Sequence, residues 1–147
     1  MLLPDVNVCL LGLRPDGSPA GPLVRAWLED ALNGDERVVV SDLVLSAVIR
    51  IATNPRVFNE PVTSAQAVEY ADSLRSAPAA APAVATARQW GAFTELVREH
   101  RLRGNDVPDA WYAAIALDLG ATLVTLDRGF RRFDQLRVLD PSTTERL

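Results

Sequence analysis

The amino-acid sequence predicts an α/β protein, a three-layer α/β/α sandwich around a mainly parallel five-stranded sheet. Two patterns carry that expectation. Short apolar runs rich in β-branched residues alternate with segments whose apolar residues recur at helical spacing. Several of the runs also stop on an aspartate that opens the next segment, as at Asp5, Asp42 and Asp127. In an open parallel sheet such positions gather at the carboxyl ends of the strands, where ligands bind.

Taken in order, the first strand is the apolar stretch Met1-Leu2-Leu3-Pro4, ending at Asp5, and Val6 to Leu13 reads as a short helix. The turn-rich Arg14-Pro15-Asp16-Gly17-Ser18-Pro19 stops it. Leu23, Val24, Trp27, Leu28, Ala31 and Leu32 then give a second helix, closed by Asn33-Gly34. Arg37 to Val40 is the second strand, and Ser41-Asp42 opens a helix through Val48 and Ile51 to about Thr53, stopped by Asn54-Pro55.

Arg56 to Thr63 is a loop, and Ser64 to Ser76 a helix with Val68, Ala71 and Leu74 inward. The Ala/Pro-rich stretch 77–85 is read as a loop followed by a short edge strand, since proline is tolerated at sheet edges. Thr86 to Arg101 is amphipathic, with Trp90, Phe93, Leu96 and Val97 on one side. Pro108 to Leu119 is a small-residue helix suited to close packing on a sheet, with Gly120 as its stop. Ala121 to Leu126 is a buried strand ending on Asp127, and Leu136 to Leu139 is a last strand before a tail.

Bulk properties bound the chemistry. The 147 residues suit one domain spanning 1–147, long enough to bury a core without disulfides. No apolar run is long enough to span a bilayer and no basic n-region precedes the first apolar stretch, so the expected compartment is the cytosol and no membrane contact is expected. Cys9 and His100 are the single cysteine and histidine, which disfavours a Cys/His zinc site or a Cys-His nucleophilic pair. A metal here would take oxygen ligands, pointing to Mg²⁺ or Mn²⁺. The net charge of −4 does not attract nucleic acid as a whole, so any RNA contact must be local. All 15 basic residues are arginine, and the absence of lysine disfavours a response-regulator receiver and a P-loop. A haloacid-dehalogenase-like phosphatase fails differently, because its Asp-x-Asp is here Asp5-Val6-Asn7.

Each acid has a bland reading beside the functional one. Asp5 is a turn or helix cap, or a ligand whose burial at an apolar strand end calls for a cation or donors; Asn7 is placed to orient it. Asp109 is the far end of a capping box begun by Asp106, or a ligand. Asp127 is a cap or a ligand, with Thr125 two residues earlier on the same strand face offering a hydroxyl to a carboxylate or phosphate. Asp42 is favoured at a helix start by the macrodipole alone. His100 is expected at the surface, Cys9 in the core, and the three tryptophans as core anchors, while Arg50 and Arg56 are candidate phosphate contacts.

Together, Leu3-Pro4-Asp5-Val6-Asn7, Val107-Pro108-Asp109-Ala110 with its alanine-rich helix, and Thr122-Leu123-Val124-Thr125-Leu126-Asp127-Arg128-Gly129-Phe130 resemble the PIN-domain ribonucleases, in particular VapC-type toxins of bacterial VapBC toxin-antitoxin pairs. The segment Leu45 to Phe58 is similar to a subgroup rich in mycobacterial toxins. The resemblance implies a metal-dependent endoribonuclease using Mg²⁺ or Mn²⁺, with Asp5, Asp109 and Asp127 as metal ligands and Asp42 and Thr125 in support. It also implies RNA as substrate, a small VapB-type antitoxin as partner, and a homodimer. Many members carry a glutamate where this chain has Ala47, so a weak or inactive PIN-like binding module, or a housekeeping nuclease without antitoxin, is the alternative.

Overall fold

A computed structural model describes residues 1–143; the end of the expected tail, residues 144–147, lies outside them. Five strands form one sheet in the order β3-β2-β1-β4-β5, with β1 Leu2–Pro4, β2 Val38–Val40, β3 Ala80–Pro82, β4 Thr122–Val124 and β5 Val138–Leu139. Every pairing is parallel. Six helices connect them: α1 Val6–Leu13, α2 Gly21–Leu32, α3 Asp42–Ala52, α4 Ser64–Arg75, α5 Ala87–Glu99 and α6 Val107–Leu119. The expected architecture is therefore the observed one, with strands shorter than their apolar runs.

Alternation along the strands builds the two outer layers. Val38, Val40 and Val124 face one way, packing with Val8, Leu11, Val24, Leu28, Val44, Val48 and Leu74 from α1 to α4. Leu3, Val39 and Leu123 face the other, under Ala110, Ala113 and Ala114 of α6 and Leu96 of α5. The small residues of α6 let its backbone lie close to the sheet, which sets where its N-terminus reaches. Phe130 and Phe133 close that second layer. Cys9 is buried as expected, and burial pushes its thiol up to about 12.

The Ala/Pro-rich stretch does form an edge strand: Ala80, Ala81 and Pro82 pair with Val38, Val39 and Val40. Three other expectations are corrected. In α4 the inward residues are Ala67, Ala71 and Leu74, whereas Val68 is 46% exposed. Trp90 is no core anchor; it is 61% exposed, resting on Phe93 and Trp111, which stack at 4.1 Å. His100 is not fully at the surface, since its ring stands edge-on to buried Phe133. Among the described residues no helix is long and apolar enough to cross a membrane.

α5 and α6 are tied together by a partly buried polar cluster. Thr86 Oγ1 and Gln89 Nε2 donate to Asp118 Oδ2 at 2.7 and 3.1 Å, and Arg88 pairs with Asp118 Oδ1 at 2.9 Å. These donors, led by the Thr86 hydroxyl, hold the Asp118 carboxyl below the usual range.

Candidate active site

The chain runs from β1 outward to β2 and β3, then returns to the opposite side of β1 with β4. The crevice above β1 and β4 is thus the point where strand order reverses, the place where open α/β sheets bind ligands. Register puts Pro4 opposite Val124. The next residues, Asp5 and Thr125, consequently stand side by side, with the Asp5 N–H donating to Val124 O at 2.9 Å.

Thr125 organises this edge. Its hydroxyl donates to Asp5 Oδ2 at 2.8 Å and accepts from Asn7 Nδ2 at 3.0 Å and the Asp127 N–H at 3.0 Å. A hydroxyl has one donor and two acceptor sites, so all are used. Asn7 also donates to Asp5 Oδ2 at 3.1 Å, and its Oδ1 accepts from the Leu126 N–H at 3.3 Å. The expectations that Asn7 orients Asp5 and that Thr125 bonds a neighbouring carboxylate therefore hold. Asp5 does cap α1, accepting from the Val6 N–H at 2.7 Å, and Asp127 accepts from the Gly129 N–H at 2.7 Å. The bland and the functional readings of these two residues are compatible.

Asp109 arrives from the first turn of α6. The capping box does not form, because Asp106 has helical dihedrals and makes no side-chain cap bond. Asp109 is left to face the crevice. Burial, and then the charges of Asp127 and Asp5, push its carboxyl up to about 6 against the lowering pull of Arg132. Asp5, only 5% exposed, is raised by burial, offset by its bonds from Thr125 and Val6, with Asp127 adding repulsion. Asp5 and Asp109, from two separate segments, thus both lie within reach of the Asp127 charge from a third.

Asp42, expected in support of the site, is placed apart from the other three acids. Its side chain is 79% exposed and pairs with Arg75 of α4, and it is not among the charges acting on Asp5 or Asp109. Ser41 makes no cap bond. Leaving the sheet on β2, beyond β1 from β4, puts this acid on the flank of the crevice. Arg50 and Arg56 are exposed, as a phosphate contact requires.

Two residues were not singled out in the sequence. Tyr112, one turn after Asp109, has its phenol raised by burial and by Asp5 and Asp109, with Arg50 opposing. Arg132 donates from Nη2 to Asp109 Oδ2 at 2.7 Å, and its Nη1 lies 3.8 Å from Asp106. The available signal was spacing: Tyr112 is i+3 from Asp109 on a helix, and Arg132 ends the arginine-rich segment following Asp127.

The donor set fits a hard dication. It consists of carboxylate and hydroxyl oxygens, and the burial and the repulsion from Asp127 and Asp5 that raise Asp109 are what a cation would offset. Among the described residues, however, no three acidic, histidine or cysteine side chains stand as a ready ligand set. Internal donors, Arg132 above all, hold them instead.

Residues 2–136 match the PIN domain family, so the chain belongs to it. That is a class of nucleases acting on RNA. Its relatives here are VapC ribonucleases. The chain is 41% identical over 141 residues to Ribonuclease VapC43 of Mycobacterium tuberculosis, covering 96% of this chain and 95% of that one. Ribonuclease VapC31 of the same organism is 34% identical, with 96% and 99% covered. The fold is shared with VapBC2 from Rickettsia felis bound to a DNA fragment from their promoter, at TM-score 0.67 and 18% identity, covering 94% and 96%. It is shared as well with Mycobacterium tuberculosis VapC20, described as a sarcin-ricin loop cleaving toxin, at TM-score 0.64 and 19% identity, covering 93% and 99%.

Proposed function

We propose that the chain, as a single unit over 1–147, is an endoribonuclease toxin of a toxin-antitoxin pair that uses Mg²⁺ or Mn²⁺. The observation that carries this reading is the convergence of Asp5, Asp109 and Asp127, each from a different segment, on the crevice where strand order reverses. Asp5, Asp109 and Asp127 would hold the ion. When bound, it would lower the pKa of a water and stabilise charge developing on the phosphate.

The chain's own residues do the positioning. Thr125 and Asn7 fix the Asp5 carboxylate from one side, so one oxygen keeps a defined direction. The N-terminus of α6 presents Asp109 across from it. No protein nucleophile is needed: a water oxygen would bond to phosphorus as the P–O ester bond breaks, the water giving up a proton to solvent and the leaving oxygen taking one from it. The VapBC neighbours support a small VapB-type antitoxin as partner and the VapC20 neighbour supports an RNA target. A homodimer is proposed by the same resemblance.

Asp5→Ala and Asp109→Ala should each abolish Mn²⁺-dependent cleavage of RNA while circular dichroism stays that of the parent. Cleavage by both variants at the parental rate would sink the assignment. The alternative, a binding module without catalysis, draws on Ala47, which leaves α3 without an acid at that position. A parent that takes up Mn²⁺ calorimetrically and cuts RNA rules it out.

A further inference from the structure

Arg132 places a guanidinium among the acids. It ends the short 3₁₀ segment Arg128–Arg132 that follows Asp127. Its Nη2 is bonded to Asp109 at 2.7 Å, its Nη1 stands 3.8 Å from Asp106, and its plane lies over the Phe133 ring at 5.0 Å. The side chain is 30% exposed, yet Nε is buried with no hydrogen-bond partner among the described residues. A guanidinium carries five donors, and this one leaves a covered donor unmet. Leaving a buried donor unpaired is costly, so this pose does not satisfy the guanidinium fully.

The partner it has chosen is also telling. Asp109 is the acid repelled by both Asp127 and Asp5, so in this arrangement Arg132 supplies the neutralising charge that a dication would supply. A dication at this site would compete with Arg132 for one carboxylate. Shared among three oxygen donors, it would displace a monovalent guanidinium held by one. The displaced guanidinium would remain over Phe133, at the edge of the same crevice, with its planar fork free. That fork matches two oxygens of a phosphate.

We propose that Arg132 is a two-position residue: it clasps Asp109 while no metal is bound and, when a divalent ion takes that carboxylate, turns to bind a phosphate of the RNA beside the scissile bond. The second position rests on the ribonuclease reading; the first does not.

Arg132→Gln and Arg132→Lys test both halves. Arg132→Gln should bind Mn²⁺ about two- to fivefold tighter than the parent by calorimetry, the worth of a partly exposed ion pair. At saturating Mn²⁺ its kcat/KM on total bacterial RNA should fall about 100-fold or more. Arg132→Lys, which keeps a point charge without the fork, should bind Mn²⁺ like the parent and recover part of the cleavage. This opposition of signs separates the proposal from a structural strut. If Arg132→Gln loses Mn²⁺ affinity together with cleavage and melting temperature, or cuts as well as the parent, the proposal is overturned. A parent that binds Mn²⁺ but cuts no RNA removes the ribonuclease reading and the phosphate half with it, while the Mn²⁺ titrations still decide the clasp.

Discussion

Thr125 shows how much one side chain carries at this edge. It is 2% exposed, and its single hydroxyl serves Asp5, Asn7 and the Asp127 backbone at once. Thr125→Val keeps the shape and leaves those groups unmet, at about 1–3 kcal/mol for each one that water cannot reach. It is expected to lower both the melting temperature and the Mn²⁺-dependent cleavage rate, whereas Thr125→Ser should retain most of each. Asp109 has a signed pH effect. Its folded pKa of about 6 stands above the ordinary 3.8, so the fold favours the neutral acid. The resulting stability is fully present below about pH 4 and is lost as pH rises through about 6. Metal-free Asp109→Asn should therefore be more stable than the parent at about pH 7.5, by roughly 1–2 kcal/mol after screening, and no different at about pH 4. Denaturant melts at the two pH values read this directly. For Asp42 the expectation is near silence: an exposed ion pair contributes about 0–1 kcal/mol, and Asp42→Ala should cut RNA within about twofold of the parent.

Helix ends explain where sequence patterns misled. Both Thr63-Ser64-Ala65-Gln66 and Asp106-Val107-Pro108-Asp109 fit a capping-box spacing. The first forms, with Thr63 and Gln66 exchanging bonds of 3.1 and 2.9 Å. The second does not, because Asp106 sits at φ −83°, ψ −18°, already helical, rather than in the extended conformation a cap needs. Spacing alone cannot report that dihedral, so the sequence left Asp109 open between cap and ligand. Periodicity likewise gave the direction of Trp90 on α5 but not where the buried layer ends. Gly120 behaved as its position implied: it closes α6 in the left-handed region at φ 61°. Gly120→Ala meets no neighbour there, so its cost is backbone strain alone, about 1 kcal/mol in a thermal melt.

Across the whole molecule, the strands, their parallel sense and the acids at their ends were legible because each depends on local pattern. The alternation of Val38, Val39 and Val40 between two cores and the small residues of α6 are written in consecutive residues. What was not legible depends on distance in the chain: the Asp42–Arg75 pair spans two helices, and Arg132 meets Asp109 across 23 positions. The net charge of −4 bears on RNA as well. With arginines rather than the overall field making contact, binding should engage few phosphates. The expected slope of log affinity against log salt is about −2 for a single strand, measured by fluorescence anisotropy. A slope of about −6 would point to an extended basic surface that the exposed Arg50, Arg128 and Arg131 alone do not supply.

The buried thiol of Cys9 gives the molecule a built-in clock. It lies one turn along α1 from Asp5, 4% exposed, with its ionisation suppressed by burial and by the Asp5 charge. An alkylating reagent can therefore reach it only during excursions in which α1 lifts from the sheet. With no second cysteine to confuse the signal, the labelling rate times the opening of the same helix that carries Asn7.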